Sequence, residues 1–413
     1  MWLPEPLKKF FNDVLESMLK PIADWFMGLP PLKRFIVGFG IVVIGFGVYY
    51  HKNVWDFAQV SREFYRAATI SPKESFFNSN RDLRLKKLIN NIEGDLLDSE
   101  YPKKKVSPGD YNPWTISQIV VSCKSDKTTT LMNDYCFYVN HSHALISACD
   151  CWSEFENVGY PNYVATSWIM LSMADYKRKL SNKLIDYISQ NQNIAGWWSL
   201  FPSSRYEDAS TLATAWLIFS LNKNLNSGNI NKEKEEEAKQ SITNGLTWLK
   251  AQLDSSKNSW FDYPGSTNER KVSVSINGLI LFVINQVDSD TDAKEAFNKQ
   301  WLEQFDSYLQ LTKSNGLLNI NSSTTSGHTI ELPGKEFTHD NIACYDLPWL
   351  IIGGVTAFDN ASISTKAKLL SFFNEVVDHG STLFSNSMNP RPQPWLASEY
   401  LFSLRMLNRE NFF

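Results

Sequence analysis

Two kinds of helix alternate along the later part of the chain. Segments 185–192, 233–253 and 297–311 each carry one apolar stripe. In the second, Ala238, Ile242, Leu246 and Leu249 recur at three-to-four spacing opposite a Lys and Glu face, the mark of a helix with one wet side. Segments 211–221, 272–284, 342–355 and 395–407 are apolar almost all round. A helix without a charged face is buried by protein or by lipid, and these are too short and too rich in Ser and Thr to span a bilayer. The alternation predicts outer helices packed on inner helices around one axis, in six hairpins: 81–97 with 114–123, 131–155 with 160–176, 179–192 with 208–221, 233–253 with 271–286, 293–311 with 339–355, and 366–377 with 395–407. Segment 100–113 reads as a loop, and no alternating block predicts a strand.

The N-terminus follows a different pattern. Residues 35–50, FIVGFGIVVIGFGVYY, are uncharged, with Lys33 and Arg34 on one side and His51 and Lys52 on the other. As a helix this stretch spans about 24 Å, workable across a bilayer core with snorkelling flanks and the interfacial Tyr49 and Tyr50. It predicts a single-pass membrane protein. An amphipathic helix lies in 1–34, the transmembrane helix in 35–52, a helical connector with the first outer helix in 53–110, and the ring domain in 111–413. Gly38 and Gly45, and Gly40 and Gly47, lie seven apart and make two smooth stripes through which a homodimer or a membrane-protein partner can pack. Basic residues flank the span on both sides, so charge leaves the side of the large domain undecided.

The turns between outer and inner helices carry a resemblance. Gln192 followed by Gly196 and Trp197, and Gln252 followed by Trp260, resemble the QW repeats of triterpene cyclases and the related turns of protein prenyltransferases. The stretches DASTLATAWLIFSL and KVSVSINGLILFVI resemble the inner helices that follow those repeats, and the likeness runs over about 160–407. It implies an all-α fold, an α/α toroid of about six helical hairpins. Physically, a Gln at an outer helix's end can bond free carbonyls, Gly196 can take the left-handed turn, and Trp can plate the joint. The chemistry the likeness implies is not spelled here. The cyclases' Asp-x-Asp-Asp acid is absent, Asp288, Asp290 and Asp292 lacking an adjacent pair. The prenyltransferase zinc set appears only as fragments, Asp134 with Cys136 and Asp150 with Cys151, away from a late inner helix.

Composition narrows the partners. A formal net charge of −4 with interspersed signs gives no footprint for nucleic acid, and the 14 Trp point to a ring-lined interior. The cysteines, Cys123, Cys136, Cys149, Cys151 and Cys344, are odd in number and contain no CxxC. This argues against a disulfide framework and points the large domain toward the cytoplasmic, reducing side.

In a ring of this kind, inner-helix ends and the turns before them face one mouth. Candidate catalytic groups there are Glu207 and Asp208, His339 and Asp340, and Glu399. Candidate ligand contacts are Trp197, Trp198, Arg205, Tyr206, Trp260 and Arg270. Asp208 and Asp340 serve equally as helix N-caps. His141, His143, Cys149 and Cys151 are two short pairs of zinc-ligand type. In a helix, however, the members of each pair point apart, and Cys149 joins a core stripe with Leu145 and Trp152. No cofactor is predicted, and zinc would rest on that cluster alone. No GxSxG, P-loop, Rossmann fingerprint or HExxH is present. The favoured reading is a membrane-anchored, prenyltransferase- and cyclase-like toroid that binds a membrane lipid, an isoprenoid or a protein as a scaffold. The alternative is an enzyme on a membrane-derived substrate, by divergent prenyl transfer or cyclisation or by glycan hydrolysis with paired carboxylates.

Overall fold

The computed structural model describes residues 79–98, 113–123, 145–153, 159–266, 272–324, 329–332, 335–338, 344–385 and 394–408. All of them belong to one compact unit, Ile70–Phe413. In chain order its elements begin with helices α1 (Ser79–Asp98) and α2 (Pro113–Ser122), then strands β1 (Leu145–Ile146) and β2 (Cys151–Trp152). Helices α3 (Tyr163–Asp175), α4 (Asn182–Gln190), α5 (Thr211–Asn226), α6 (Glu235–Ala251), α7 (Val274–Val287) and α8 (Thr291–Leu311) follow. Strands β3 (Lys313–Ser314), β4 (Leu317–Leu318), β5 (Ser323–Thr324), β6 (Thr329–Leu332), β7 (Lys335–Thr338) and β8 (Cys344–Tyr345) lead to α9 (Asp346–Ala357), α10 (Ile363–Ser385) and α11 (Pro394–Leu407).

Six helices close a ring. α2 packs on α3, α3 on α5, α5 on α7, α7 on α9, α9 on α11, and α11 returns to α2. Outside them, α6 lies on α5, α8 on α7 and α9, and α1 on α10 and α11, so the first outer helix seals the last repeat. Burial follows the sequence pattern. Only Leu184, Ile185 and Ile188 of α4 are buried, whereas α7 is buried continuously from Val274 to Ile284.

A helix buried on every face must satisfy its polar side chains locally. The hydroxyls of Ser167, Ser172, Ser220 and Ser403 do so by donating back to Tyr163, Ile169, Leu217 and Tyr400 carbonyls of their own helices. This is why Ser and Thr appear in helices that never meet water.

The axis is filled by rings. Trp168 of α3 lies 4.4 Å from Trp216 of α5, which lies 5.5 Å from Trp349 of α9. Phe282 of α7 stands 5.1 Å from Phe219 of α5 and 6.2 Å from Phe402 of α11. Beside Val121, Trp168, Trp216 and Phe402 the space left is about 10 Å³, room for one water at most. Among the described residues, Trp168, Trp216 and Trp349 with Phe219, Phe282 and Phe402 thus pack against one another at the axis.

The joints between layers repeat a side-chain clamp. Thr214 accepts the N–H of Trp198 at 3.0 Å and donates to its carbonyl at 3.2 Å. Thr166 holds Trp152 likewise at 3.1 and 3.2 Å, and Asn277 holds Trp260 at 2.9 and 3.0 Å. Each clamping residue is the fourth of its inner helix, so the outer-to-inner turn is pinned to the same height in three successive repeats. Gly196 takes the left-handed turn (φ 102°), as the sequence predicts.

Three expectations are corrected. Four short antiparallel ladders exist among the described residues, including β6 with β7 and β5 with β8. The described part of 131–155 is the β1–β2 hairpin, not an outer helix, and a Cys149–Cys151 disulfide closes it. Asp150 lies between them at a left-handed φ of 53°, a hairpin conformation in which the two cysteine side chains reach each other. The glutamine expectation holds in one repeat and fails in the other: Gln252 Nε2 donates to the Trp248 carbonyl at the end of α6 at 3.4 Å, Gln192 bonds no carbonyl of α4, and tryptophans take further end carbonyls. Trp198 Nε1 donates to Ile188 at 2.8 Å and Trp260 Nε1 to Leu249 at 2.9 Å. Gln192 instead ties its turn to the next outer helix, donating to the carbonyls of Gly196 at 2.8 Å and Ser241 at 2.9 Å. The transmembrane and amphipathic segments, with Gly38, Gly40, Gly45 and Gly47, lie outside the described residues. Among those described, no helix is long and apolar enough to cross a membrane.

At Gly278, α7 approaches the backbone of α9 closely. A Cβ on Gly278 would stand 2.3 Å from the Trp349 carbonyl oxygen, against backbone that has no freedom to yield. Gly278→Ala is expected to destabilise the domain by about 1–3 kcal/mol, the usual cost of overpacking, measured as a lowered urea midpoint.

Candidate functional site at the N-terminal mouth of the ring

The inner helices run parallel, and their N-terminal ends form one mouth, where the sequence places its candidates. Much of the acidity there is consumed by helix capping. Ser210 and Ser273 are the N-caps of α5 and α7, with hydroxyls accepting from Ala213 and Ile276, so the cap predicted for Asp208 belongs to its neighbour. Asp208, fully buried in a short 3-10 turn, accepts from the Ser203 hydroxyl at 2.6 Å, and its Oδ2 stands 3.7 Å from Arg205 Nε. Glu207 is exposed and pairs with Arg205 at 3.3 Å.

A second set of acids caps the helix one repeat back. Asp262, in the turn before α7, accepts from Ser210 Oγ (2.8 Å) and the Leu212 N–H (3.3 Å) at the start of α5. Asp346 opens α9, accepts from the Ser275 N–H of α7 at 3.3 Å and takes the Ser322 hydroxyl at 2.9 Å. Burial pushes the Asp262 carboxyl up, against the hydrogen bonds from Ser210, Leu212, Tyr263 and Thr211. Tyr263 beside it is raised well above the ordinary phenol range by burial, with the charges of Asp262 and Asp208 adding. These contacts give Asp208 and Asp262 structural employment.

Glu399 is different. It sits on α11 at 5% exposure, and burial pushes its carboxyl up to about 8; the Tyr345 N–H and the Trp349 indole lie near enough to oppose part of that rise. Its Oε1 accepts from Gln118 Nε2 of α2 at 3.4 Å. The group is therefore a neutral acid at pH 7, able to donate a hydrogen bond or a proton.

The remaining candidates divide. Trp197, Trp198 and Trp260 are buried at 2% exposure or less. Trp198 and Trp260 serve the joints, and the Trp197 ring packs 6.3 Å from Tyr206, so none of the three offers an open ligand face. Tyr206 is half exposed and donates to Gln252 Oε1 at 3.2 Å. His339, Asp340, Arg270, His141 and His143 lie outside the described residues. Cys149 and Cys151 are spent in their disulfide and offer zinc no thiolate, and no cluster fit for a metal ion occurs among the described residues. Sequence reasoning missed Asp262, Asp346 and Gln118. A Gln inside the otherwise apolar PWTISQIVVS was the available signal for the last.

No protein-family model matches the chain, and no curated protein matches it. Among solved structures it is similar to cellobiose 2-epimerase from Spirochaeta thermophila DSM 6192, at TM-score 0.50 and 9% identity over 78% of this chain and 97% of that one. The closed ring of inner helices and this likeness together define the class: an α/α toroid.

The raised Glu399 pKa has a consequence for stability. The folded value of about 8 lies above the ordinary 4.5, so the folded state holds a proton that the unfolded chain releases between those values. The contribution is fully present below about pH 4.5 and is lost as pH rises through 8. Glu399→Gln, neutral throughout, is expected to flatten the fall in melting temperature between pH 5 and 8. At pH 8 it should be the more stable protein by on the order of a few kcal/mol, read by thermal denaturation at both pH values.

Proposed function

We propose that the chain is a membrane-anchored α/α toroid that works as a binding scaffold, holding its ligand across the N-terminal mouth and not inside the axis. The observation that carries this reading is the packed centre, where Trp168, Trp216, Phe219, Phe282, Trp349 and Phe402 occupy the space an engulfed isoprenoid would need. The QW-like turns, which support a likeness to cyclases and prenyltransferases, have full structural roles here through Trp198, Trp260, Thr214 and Asn277. The anchor rests on the apolar run 35–50.

A second reading, an enzyme acting on a glycan, is favoured by Glu399. A neutral buried acid at the mouth suits proton donation, and the similar solved structure is named as a sugar epimerase. The capping duties of Asp208, Asp262 and Asp346 weigh against a second free carboxylate beside it.

Photo-crosslinking of the full chain with a benzophenone-bearing polyprenyl phosphate is expected to label no peptide containing Trp168, Trp216 or Phe282; labelling of those peptides would show that the axis opens and sink the proposal. Carbonate extraction of membranes should leave the full chain in the pellet, and release into the supernatant would remove the anchor.

A further inference from the structure

The β1–β2 hairpin carries an oxidised pair, Cys149–Cys151, in a chain whose odd cysteine count points toward a reducing compartment. Disulfides form and persist where the surroundings oxidise thiols, and cytosolic ones are mostly transient bonds of catalysis or sensing. A bond that turns over must be reached by an attacking thiolate. Cys149 is 3% exposed and Cys151 is fully buried, so this bond is closed to exchange once the hairpin has packed. Such a bond is made once, during folding, by exchange with a partner's disulfide, which takes up two electrons as the two thiols lose their protons. The leftover thiol fits the same picture. Cys123 is buried and pushed up to about 12, chiefly by burial, which keeps it from competing as a thiolate.

A domain on the oxidising side is also where N-glycans are attached, and the chain spells three Asn-x-Ser acceptor sequences, at Asn140, Asn321 and Asn360. Asn140 lies outside the described residues. Asn360, in the turn after α9, faces inward: its side-chain oxygen accepts from Nδ2 of Asn298 on α8, a residue 3% exposed, at 2.7 Å. Asn321 is placed differently. It occupies a turn between β4 and β5 in which the Ser322 N–H donates to the Asn319 carbonyl at 3.1 Å. Ser322 is pinned inward, its hydroxyl donating to Asp346 at 2.9 Å and its carbonyl accepting the Asp346 N–H at 2.9 Å. Alternation along the chain then turns Asn321 and Ser323 outward, and both are exposed. The amide and the hydroxyl of the acceptor sequence thus stand in solvent on a fixed turn. We propose that the ring domain lies on the oxidising side of its membrane and that Asn321 is an N-glycan acceptor, the donor being an oligosaccharide carried on a polyprenyl pyrophosphate. The Asn321 amide nitrogen bonds the anomeric carbon of the sugar and loses a proton, while the bond from that carbon to pyrophosphate breaks and the polyprenyl pyrophosphate leaves. Neither half of the proposal depends on what the ring binds.

The full chain is expressed in a glycosylating eukaryotic cell line, and thiols are alkylated at lysis without reductant. Mass spectrometry of the peptide holding Cys149 and Cys151 is expected to find neither alkylated and the peptide lighter than its reduced form by two hydrogens. Electrophoresis is expected to show a shift that an N-glycan-cleaving enzyme collapses. Asn321→Gln should reduce that shift by one step, Ser323→Ala, which keeps the asparagine and removes the acceptor hydroxyl, should reduce it equally, and Asn360→Gln should leave it unchanged. All three variants are expected to keep the oxidised pair, since none touches the hairpin. Alkylated Cys149 and Cys151 with no shift would put the domain on the reducing side and overturn the proposal. Oxidised cysteines in a chain whose mobility is the same with and without Asn321 would overturn the acceptor and leave the compartment standing. A shift lost with Asn321 while both cysteines are alkylated would overturn the oxidised pair as the sign of that compartment.

Discussion

Trp216 meets Trp168 at 4.4 Å and Trp349 at 5.5 Å, and the arrangement of the ring follows from the need to fill the space those three enclose. Six helices around one axis leave a hole that aliphatic side chains are too short to close. Rings reach it, and tilted and edge-on contacts between them add about 0.5–1.5 kcal/mol per pair beyond the area they bury. Once the axis is filled in this way, every inner helix is buried on all sides. Its sequence must then be apolar all round, its hydroxyls must bond back onto their own helix, and its polar work is confined to the two ends. Gly278 answers the same demand, because α7 must approach the Trp349 backbone closely for the rings to meet.

The ends then have to carry the capping of six helices in a crowded rim. The structure meets this with a relay: Asp262 caps α5 from the turn before α7, and Asp346 caps α7 from the start of α9. Two repeats are thereby fixed to the one before them by an acid, and three turns are fixed by Thr166, Thr214 and Asn277. Acidic residues at the mouth of a toroid therefore carry no catalytic implication by themselves, since the fold needs them in place whatever the protein does.

This divides what was legible in the sequence from what was not. The contrast between the one-faced α6 and the all-round α7 is a matter of periodicity, and it located both helices and their layers. Gly196 was legible because a left-handed turn demands it. Gln192 was misassigned because its partner, the Ser241 carbonyl, lies 49 positions away, where local spacing gives no information. The Cys149–Cys151 hairpin was hidden for the opposite reason. Leu145, Cys149 and Trp152 fit a helical stripe, and the bend at Asp150 that overrides it is stabilised by a covalent bond the pattern cannot weigh. The axial rings were counted correctly as a feature of the interior, yet composition cannot distinguish rings that line a cavity from rings that fill one.

Glu399 shows where capping stops explaining the rim. It stands where the relay would place its next member, beside the Tyr345 N–H at the start of α9, and by the logic of Asp262 and Asp346 it should be spent there. Yet its contacts, the Gln118 amide at 3.4 Å with the Tyr345 N–H and the Trp349 indole, leave burial the largest influence on its carboxyl. A cap alone would be served by an Asp or Ser with every atom bonded, as at Ser210 and Ser273. Retaining a longer acid in a site dry enough to raise its pKa to about 8 costs stability at neutral pH, which the Tyr345 N–H and the Trp349 indole offset only in part. That unrecovered cost, more than the residue's acidity, separates Glu399 from the other carboxylates and makes the junction of α2, α9 and α11 the part of the rim whose chemistry the fold alone does not require.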